Sequence, residues 1–152
     1  MKQVVLMLVP IVLASVISFA TYNDTLNGSQ TAAPEAEGIA LNLTATGELP
    51  GMSKVNLHRT GENVTGGSLR LTVLPQNADA SSSERGQLVG TISGGTLTLN
   101  GEGMVASASG VQVTIQSGTG EFASVTSGTA TLNIMASSEN PSQLSGTLVL
   151  NF

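Results

Sequence analysis

The chain has 152 residues, a net charge of −5 and only 10% charged residues, which is enough length for one domain with short additions. Its five basic residues are too few for the clustered cationic face that nucleic acid requires, and they argue equally against an anionic membrane surface. The absence of cysteine excludes disulfides, thiol catalysis and thiolate metal sites.

Residues 1–20 have the order of an export signal. Lys2 precedes an apolar run over residues 4–20, which ends in the small-x-small cleavage pattern Ser-Phe-Ala. The run contains Pro10 and is short for a membrane span, which needs about 20 apolar residues. We therefore expect a signal peptide, with a retained N-terminal anchor as the alternative. Both predict an extracellular or cell-surface location.

Residues 21–37 are polar, small and proline-containing, which is typical of a flexible linker. The junction SFATYNDT at residues 18–25 resembles the signal-peptide boundary of the TasA/camelysin family of secreted biofilm-fibre proteins. In that family an aromatic-Asn/Ser-Asp-Thr segment follows the apolar run, so the resemblance implies a secreted fibre protein.

Asn-x-Ser/Thr sequons make four asparagines candidate glycosylation sites if the source glycosylates its exported proteins. Because Asn, Ser and Thr are all frequent in this chain, chance alone accounts for a few such sequons. The candidate positions are Asn23, Asn27, Asn42 and Asn63.

A β-domain is expected over residues 38–152. In its first half, apolar residues alternate with polar ones, which predicts strands with one buried face. Residues 61–67 are interpreted as a loop, and the polar stretch 76–85 as the longest surface loop. Pro75 ends the strand before it, because proline cannot donate to a central ladder. The predicted strands cover residues 39–45, 54–58, 69–73 and 88–92.

The second half of the domain continues the alternation with Gly/Ser turns between strands. A turn at Ser93–Gly95 separates strand 88–92 from a strand over residues 96–100. Within Gly110–Met135 we expect two strands flanking a tight turn at Ser117–Gly120 and a short strand near residues 121–125. A last strand covers residues 144–152. The phrase Gly-Thr-x-x-Leu-Asn begins at Gly95, Gly128 and Gly146, which we interpret as a strand that follows a turn.

Eight or nine short strands with no helical pattern outside the signal predict an all-β fold. The two architectures that fit are an antiparallel barrel and a sandwich, and short connections in the second half favour a meander.

The segment Ser117–Phe122 (SGTGEF) resembles the Gly-x-Gly-x-Phe hairpin of the allene oxide cyclase/dirigent-like, calycin-type barrels. The resemblance extends over residues 95–152. It implies a barrel that this hairpin closes. The catalytic carboxylates and pocket charges of those families have no clear counterparts in this chain, so the resemblance concerns fold and not activity.

Few residues are candidates for chemistry. His58 is the one histidine, and on the polar face of a strand it is interpreted as solvated, without catalytic or metal-binding partners. Glu102 and Glu121 adjoin glycines at strand ends and are candidates for one rim, although solvated turn-flanking charges are the favoured interpretation. Phe122 is expected near a barrel end, as a core plug and a pocket-rim candidate. Tyr22 falls in the predicted linker.

These features predict an exported, non-catalytic domain with a structural or interaction role in an envelope, matrix or fibre. The alternative is a small barrel that binds an apolar ligand, with an isomerase- or cyclase-like enzyme less favoured. No cofactor and no metal is expected. The expected partners are copies of this chain or other surface proteins, reached in one arrangement by strand addition through the linker. A membrane is contacted only through an uncleaved N-terminal segment.

Overall fold

A computed structural model describes residues 20–30, 38–76, 83–101 and 103–152. In this part of the chain, eight antiparallel strands close into one barrel in chain order, with β8 returning to β1. A single 3-10 turn at Gly120–Phe122 lies between β6 and β7. The strands are β1 (Thr21–Ser29), β2 (Gly38–Gly47), β3 (Gly51–Thr60), β4 (Asn63–Val73), β5 (Gly86–Leu99), β6 (Val105–Gly118), β7 (Gly128–Ala136) and β8 (Gln143–Asn151).

This architecture confirms the all-β, antiparallel, meandering fold and selects the barrel over the sandwich. The predicted signal at residues 1–20 lies outside the described residues except for Ala20. Among the residues described, no helix is long and apolar enough to cross a membrane.

The barrel interior is packed with aliphatic side chains, because apolar residues alternate along nearly every strand. An eight-stranded barrel is just wide enough for inward side chains to fill it. Burial of each large aliphatic side chain stabilises the fold by about 1.5–3 kcal/mol. The largest fully buried side chains include Leu43, Leu57, Leu71, Leu97, Leu132 and Leu148.

β1 corrects the prediction of a flexible linker over residues 21–37. Residues Thr21–Ser29 pair with β8 along their whole length, and residues 24–29 also pair with β2. Leu26 is the one aliphatic side chain that β1 buries, so its sequence lacks the alternation that marks the other strands. The rest of the predicted linker, residues 31–37, lies outside the described residues.

β5 is one long strand where the sequence predicts a turn and two strands. The ladder between β5 and β6 shifts register on both sides of Gly94, and Gly95 has a φ of +144°. Glycine therefore marks an irregularity inside a continuous strand, as is common where a barrel wall bends. The predicted loop at residues 61–67 is likewise too long, because β4 begins at Asn63.

The stretch after β6 also differs from the prediction. Residues 120–122 form a 3-10 turn in place of the short strand expected near residues 121–125. The barrel is closed by the pairing of β1 with β8, and not by the SGTGEF segment. Of the three Gly-Thr-x-x-Leu-Asn phrases, only the one at Gly128 starts a strand; Gly95 and Gly146 lie within β5 and β8.

Candidate functional site

Three aromatic side chains gather at one end of the barrel, which we call the aromatic end. It is the end where β1 begins, β8 finishes and β6 connects to β7. The rings of Tyr22 and Phe152 stack with centroids 4.8 Å apart and planes 20° apart. Phe122 meets Phe152 edge to face at 6.2 Å. The chain holds one tyrosine and three phenylalanines in all, so most of its aromatic surface is concentrated here.

Phe122 fixes this cluster to the core. Its side chain is only 7% exposed, which confirms the expected plug near a barrel end. Tyr22 and Phe152 are half-buried and pack against the same core. The three rings therefore form a continuous cluster between the barrel interior and the surface. Each aromatic pair contributes about 0.5–1.5 kcal/mol to stability beyond the burial of its apolar area.

The SGTGEF segment builds the turn that carries Phe122. Gly120 has a φ of +62°, and a Cβ atom there would lie 2.3 Å from the carbonyl oxygen of Arg85. Thr119 exchanges hydrogen bonds with Gln87: its N–H donates to the Gln87 carbonyl at 2.9 Å, and its Oγ1 accepts from the Gln87 N–H at 3.1 Å. The motif thus fixes the β6–β7 connection against β5.

Arg85 and Glu121 add an ion pair to the same connection. Nη2 of Arg85 lies 3.1 Å from Oε1 of Glu121, and the Glu121 N–H donates to the Arg85 carbonyl at 2.8 Å. The guanidinium also lies 5.8 Å from the ring centre of Phe122. Because Glu121 is more than half exposed, this pair contributes little to stability and mainly holds the connection in place.

A groove of about 490 Å³ opens beside the aromatic cluster. Its lining combines aromatic rings with hydroxyl groups and one carboxylate. The residues that line it are Tyr22, Glu121, Phe122, Ser124, Val125, Thr126, Ser127 and Phe152. Ser124, Thr126 and Ser127 are exposed, and their hydroxyls have no hydrogen-bond partner among the described residues.

Asp24 faces the barrel interior near the aromatic end and is only 3% exposed. Its Oδ1 accepts a hydrogen bond from the Leu49 N–H at 2.8 Å, whereas its Oδ2 is buried with no partner in the described part of the chain. Burial raises the pKa of Asp24 to about 6; the Leu49 N–H opposes this effect, and the charge of Glu48 adds to it. Asp24 therefore keeps its proton at pH values above those at which a carboxyl group ordinarily ionises.

Gln30 makes hydrogen bonds across the opposite end of the barrel. Its side-chain amide donates to the carbonyl of Val105 at 2.7 Å and accepts from the N–H of the same residue at 2.9 Å. The amide also donates to the carbonyl of Pro141 at 3.0 Å. Since β1 does not pair with β6, this buried side chain ties the end of β1 across the mouth of the barrel.

Of the two rim carboxylates predicted from the sequence, Glu102 lies outside the described residues. Glu121 lies at the aromatic end. His58 is exposed on the outer wall, where it pairs in register with Gly38 at the opposite end. The described residues thus bring neither His58 nor a second carboxylate to Glu121.

All four asparagines of the sequons are exposed. Asn23 and Asn27 lie on β1, Asn42 lies on β2, and Asn63 begins β4.

In the described part of the chain, no group of three or more His, Cys, Asp or Glu residues could hold a metal ion.

Sequence reasoning found Glu121 and Phe122 but missed Tyr22 and Arg85. Tyr22 reaches Phe152 only because β1 pairs with β8, at the far end of the chain. No local pattern predicts that pairing.

No protein-family model, no curated protein and no solved structure matches this chain, so the groove is interpreted from its own geometry.

Proposed function

We propose that this chain is an exported, non-catalytic β-domain with an interaction role at the cell surface or in an extracellular matrix. One observation carries the proposal: the predicted boundary of the export signal coincides with the start of the folded domain. The small-x-small pattern ends at Ala20, and β1 begins at Thr21. Cleavage after Ala20 would leave every strand of the barrel intact.

The contacts of Ala20 set the order of events in this proposal. Its N–H donates to the Phe152 carbonyl at 2.9 Å and its carbonyl accepts from the Phe152 N–H at 3.2 Å. In the folded barrel the bond between Ala20 and Thr21 therefore lies beside the end of β8. A protease would need this segment free, so processing precedes closure of the barrel, as expected for a chain that is exported unfolded.

An interaction role is favoured over catalysis by the placement of Glu121 and His58. Glu121 is bound by Arg85 at the aromatic end, and His58 lies on the outer wall toward the opposite end. General acid–base chemistry needs such groups within reach of one substrate. Aliphatic packing of the interior likewise gives the alternative, an apolar-ligand barrel, less support than a role for the outer surface.

Expression of the full chain in a bacterial host tests the proposal. We expect the protein outside the cytoplasm, with an N-terminal sequence that begins Thr-Tyr-Asn-Asp; recovery of the intact chain in the membrane fraction would support the anchored form. Ala20→Lys should block processing, because the cleavage site requires a small residue, whereas the neighbouring Thr21→Ser should not. A folded, unprocessed chain in the cytoplasm would contradict export.

A further inference from the structure

We propose that the groove at the aromatic end binds a neutral oligosaccharide. The inference deepens the proposed function and rests on it for one point only, that an exported domain meets the saccharides of an envelope or matrix. The groove itself points to such a ligand, because it combines aromatic rings with three hydroxyl side chains that have no partner among the described residues.

The aromatic face is the first requirement for such a ligand. A pyranose ring presents a patch of C–H groups on one face, and partly exposed aromatic rings offer an apolar surface for it. Tyr22 and Phe152 stack nearly parallel, and Phe122 supports Phe152 from the core. The platform is therefore fixed before any ligand arrives, which lowers the entropy lost on binding.

Hydrogen-bonding groups at the edge of the platform are the second requirement. Ser124, Thr126 and Ser127 line the groove with hydroxyls that both donate and accept, and none has a partner among the described residues. Glu121 is held through Oε1 by Arg85, and its Oε2 has no partner in the same part of the chain. A ligand rich in hydroxyl groups satisfies this set, whereas a purely apolar ligand would leave it unpaired.

Charge selects a neutral saccharide. Arg85 and Glu121 compensate each other at 3.1 Å, so the groove offers no unpaired cation to an anionic ligand. The chain as a whole carries a net charge of −5, which repels a polyanion at long range. Thr119 and Gly120 fix the start of the β6–β7 connection against β5, and within it the Val125 N–H donates to the Phe122 carbonyl at 2.9 Å.

Tyr22 supplies the measurement, because the chain has one tyrosine and no tryptophan. Its emission therefore reports directly on the groove. The exported protein is titrated with cellohexaose, chitohexaose and laminarihexaose, and we expect a saturable change in tyrosine emission with at least one of them. No saturable change with any of the three, or a tighter response to dodecanoic acid, would overturn the inference.

Variants then assign the binding to the groove by calorimetry. Ser124→Ala and Ser127→Ala should each weaken binding about two- to tenfold, the effect of one lost hydrogen bond. Tyr22→Leu should weaken it about tenfold or more, and the two serine variants keep the test valid if this substitution impairs folding. Thr114→Ala, an exposed change on β6 outside the groove, is the matched control and should bind like the unaltered chain.

The outcomes separate this inference from the proposed function. Binding that is unaffected by Ser124→Ala and Ser127→Ala would place the ligand elsewhere and overturn the assignment. An exported, processed chain that binds none of the three hexasaccharides would overturn the inference and leave export standing. A cytoplasmic chain would contradict the proposed function whatever the titration shows.

Discussion

Asp24 is an ionisable residue whose burial opposes its ionisation. Its carboxyl faces the interior with one oxygen unpartnered, and burial raises its pKa from 3.8 to about 6. The folded state therefore binds more protons than the unfolded state between these two values. It follows that the free energy of unfolding falls as the pH rises through this window.

We expect this loss of stability to amount to about 2 kcal/mol between pH 4 and pH 6, since one pKa unit corresponds to about 1.4 kcal/mol and the loss is complete only above pH 6. Urea unfolding of the chain at several pH values measures it. Asp24→Asn keeps an oxygen for the Leu49 N–H and removes the ionisation, so it should flatten the profile in this window. A profile that rises over the same range in the unaltered chain would contradict the assignment of a raised pKa.

Gln30 presents the opposite case, a buried polar side chain that is fully used. Gln30→Ala would leave the buried N–H and carbonyl of Val105 without their partners. Each unsatisfied buried group costs about 1–3 kcal/mol, so we expect the variant to be less stable by about 2–4 kcal/mol. A lower urea midpoint at an unchanged m value would show this.

The control for Gln30 is a glutamine on the outer wall. Gln116 is exposed on β6 and makes no side-chain hydrogen bond within the described residues, so Gln116→Ala should change stability by less than about 0.5 kcal/mol. Equal effects of the two substitutions would mean that the link across the barrel mouth contributes nothing to stability.

At the scale of elements, the β6–β7 connection depends on the backbone of Gly120. Gly120→Ala places a side chain at a φ of +62° and within 2.3 Å of the Arg85 carbonyl oxygen. Gly61→Ala is a matched control, because Gly61 has the same φ and open space around its Cβ position. Both variants share the conformational cost of about 1–2 kcal/mol, and only Gly120→Ala adds the clash.

We therefore expect Gly120→Ala to unfold at a lower temperature than Gly61→Ala, by differential scanning calorimetry. The clash should also displace Glu121 from Arg85 and weaken any ligand bound in the groove, an effect that Gly61→Ala should lack. Identical melting temperatures would show that the connection accommodates the added side chain without loss of stability, which would contradict a rigid groove.

The strands differ in how far their own sequences predict them. β2 buries Ile39, Leu41 and Leu43 in strict alternation, and this pattern alone predicts it. β1 also points every second side chain inward, but those positions hold Tyr22 and Asp24 beside Leu26, so its sequence lacks apolar alternation and its composition indicates a linker. Its structure comes from ladders on both sides, and its partner β8 lies at the other end of the chain.

The residues of the aromatic end likewise differ in how far the sequence predicts them. Glu121 and Phe122 stand in a recognisable Gly-Thr-Gly-x-Phe segment, so sequence patterns single them out. Tyr22 joins them through the pairing of β1 with β8, and Arg85, just before β5, joins them through its contacts with Glu121; a single sequence reveals neither. Glycine was also ambiguous: Gly94 and Gly95 predict a turn, yet they lie where a continuous strand shifts its register.

For the whole molecule, closure by β1 decides whether the barrel has free edges. Residues 21–29 cover one side of β8, and residues 24–29 cover one side of β2. A strand edge with unpaired N–H and carbonyl groups is a template for association with another chain. The intact barrel presents no such edge among its described strands, so strand addition from the predicted linker receives no support as a mode of assembly.

Deletion of residues 21–30 from the processed chain should therefore convert a monomer into an associating protein. Light scattering behind size exclusion is expected to give a constant mass for the unaltered chain and a mass that grows with concentration for the deletion variant. Thr44→Lys with Thr147→Lys provides the control, because both threonines face outward on the two uncovered strands and lysine at an edge opposes pairing. Suppression of association by these lysines would assign it to the edges; association that persists would assign it to the exposed core. A deletion variant that stays folded and monomeric would contradict β1 as the strand that closes the barrel.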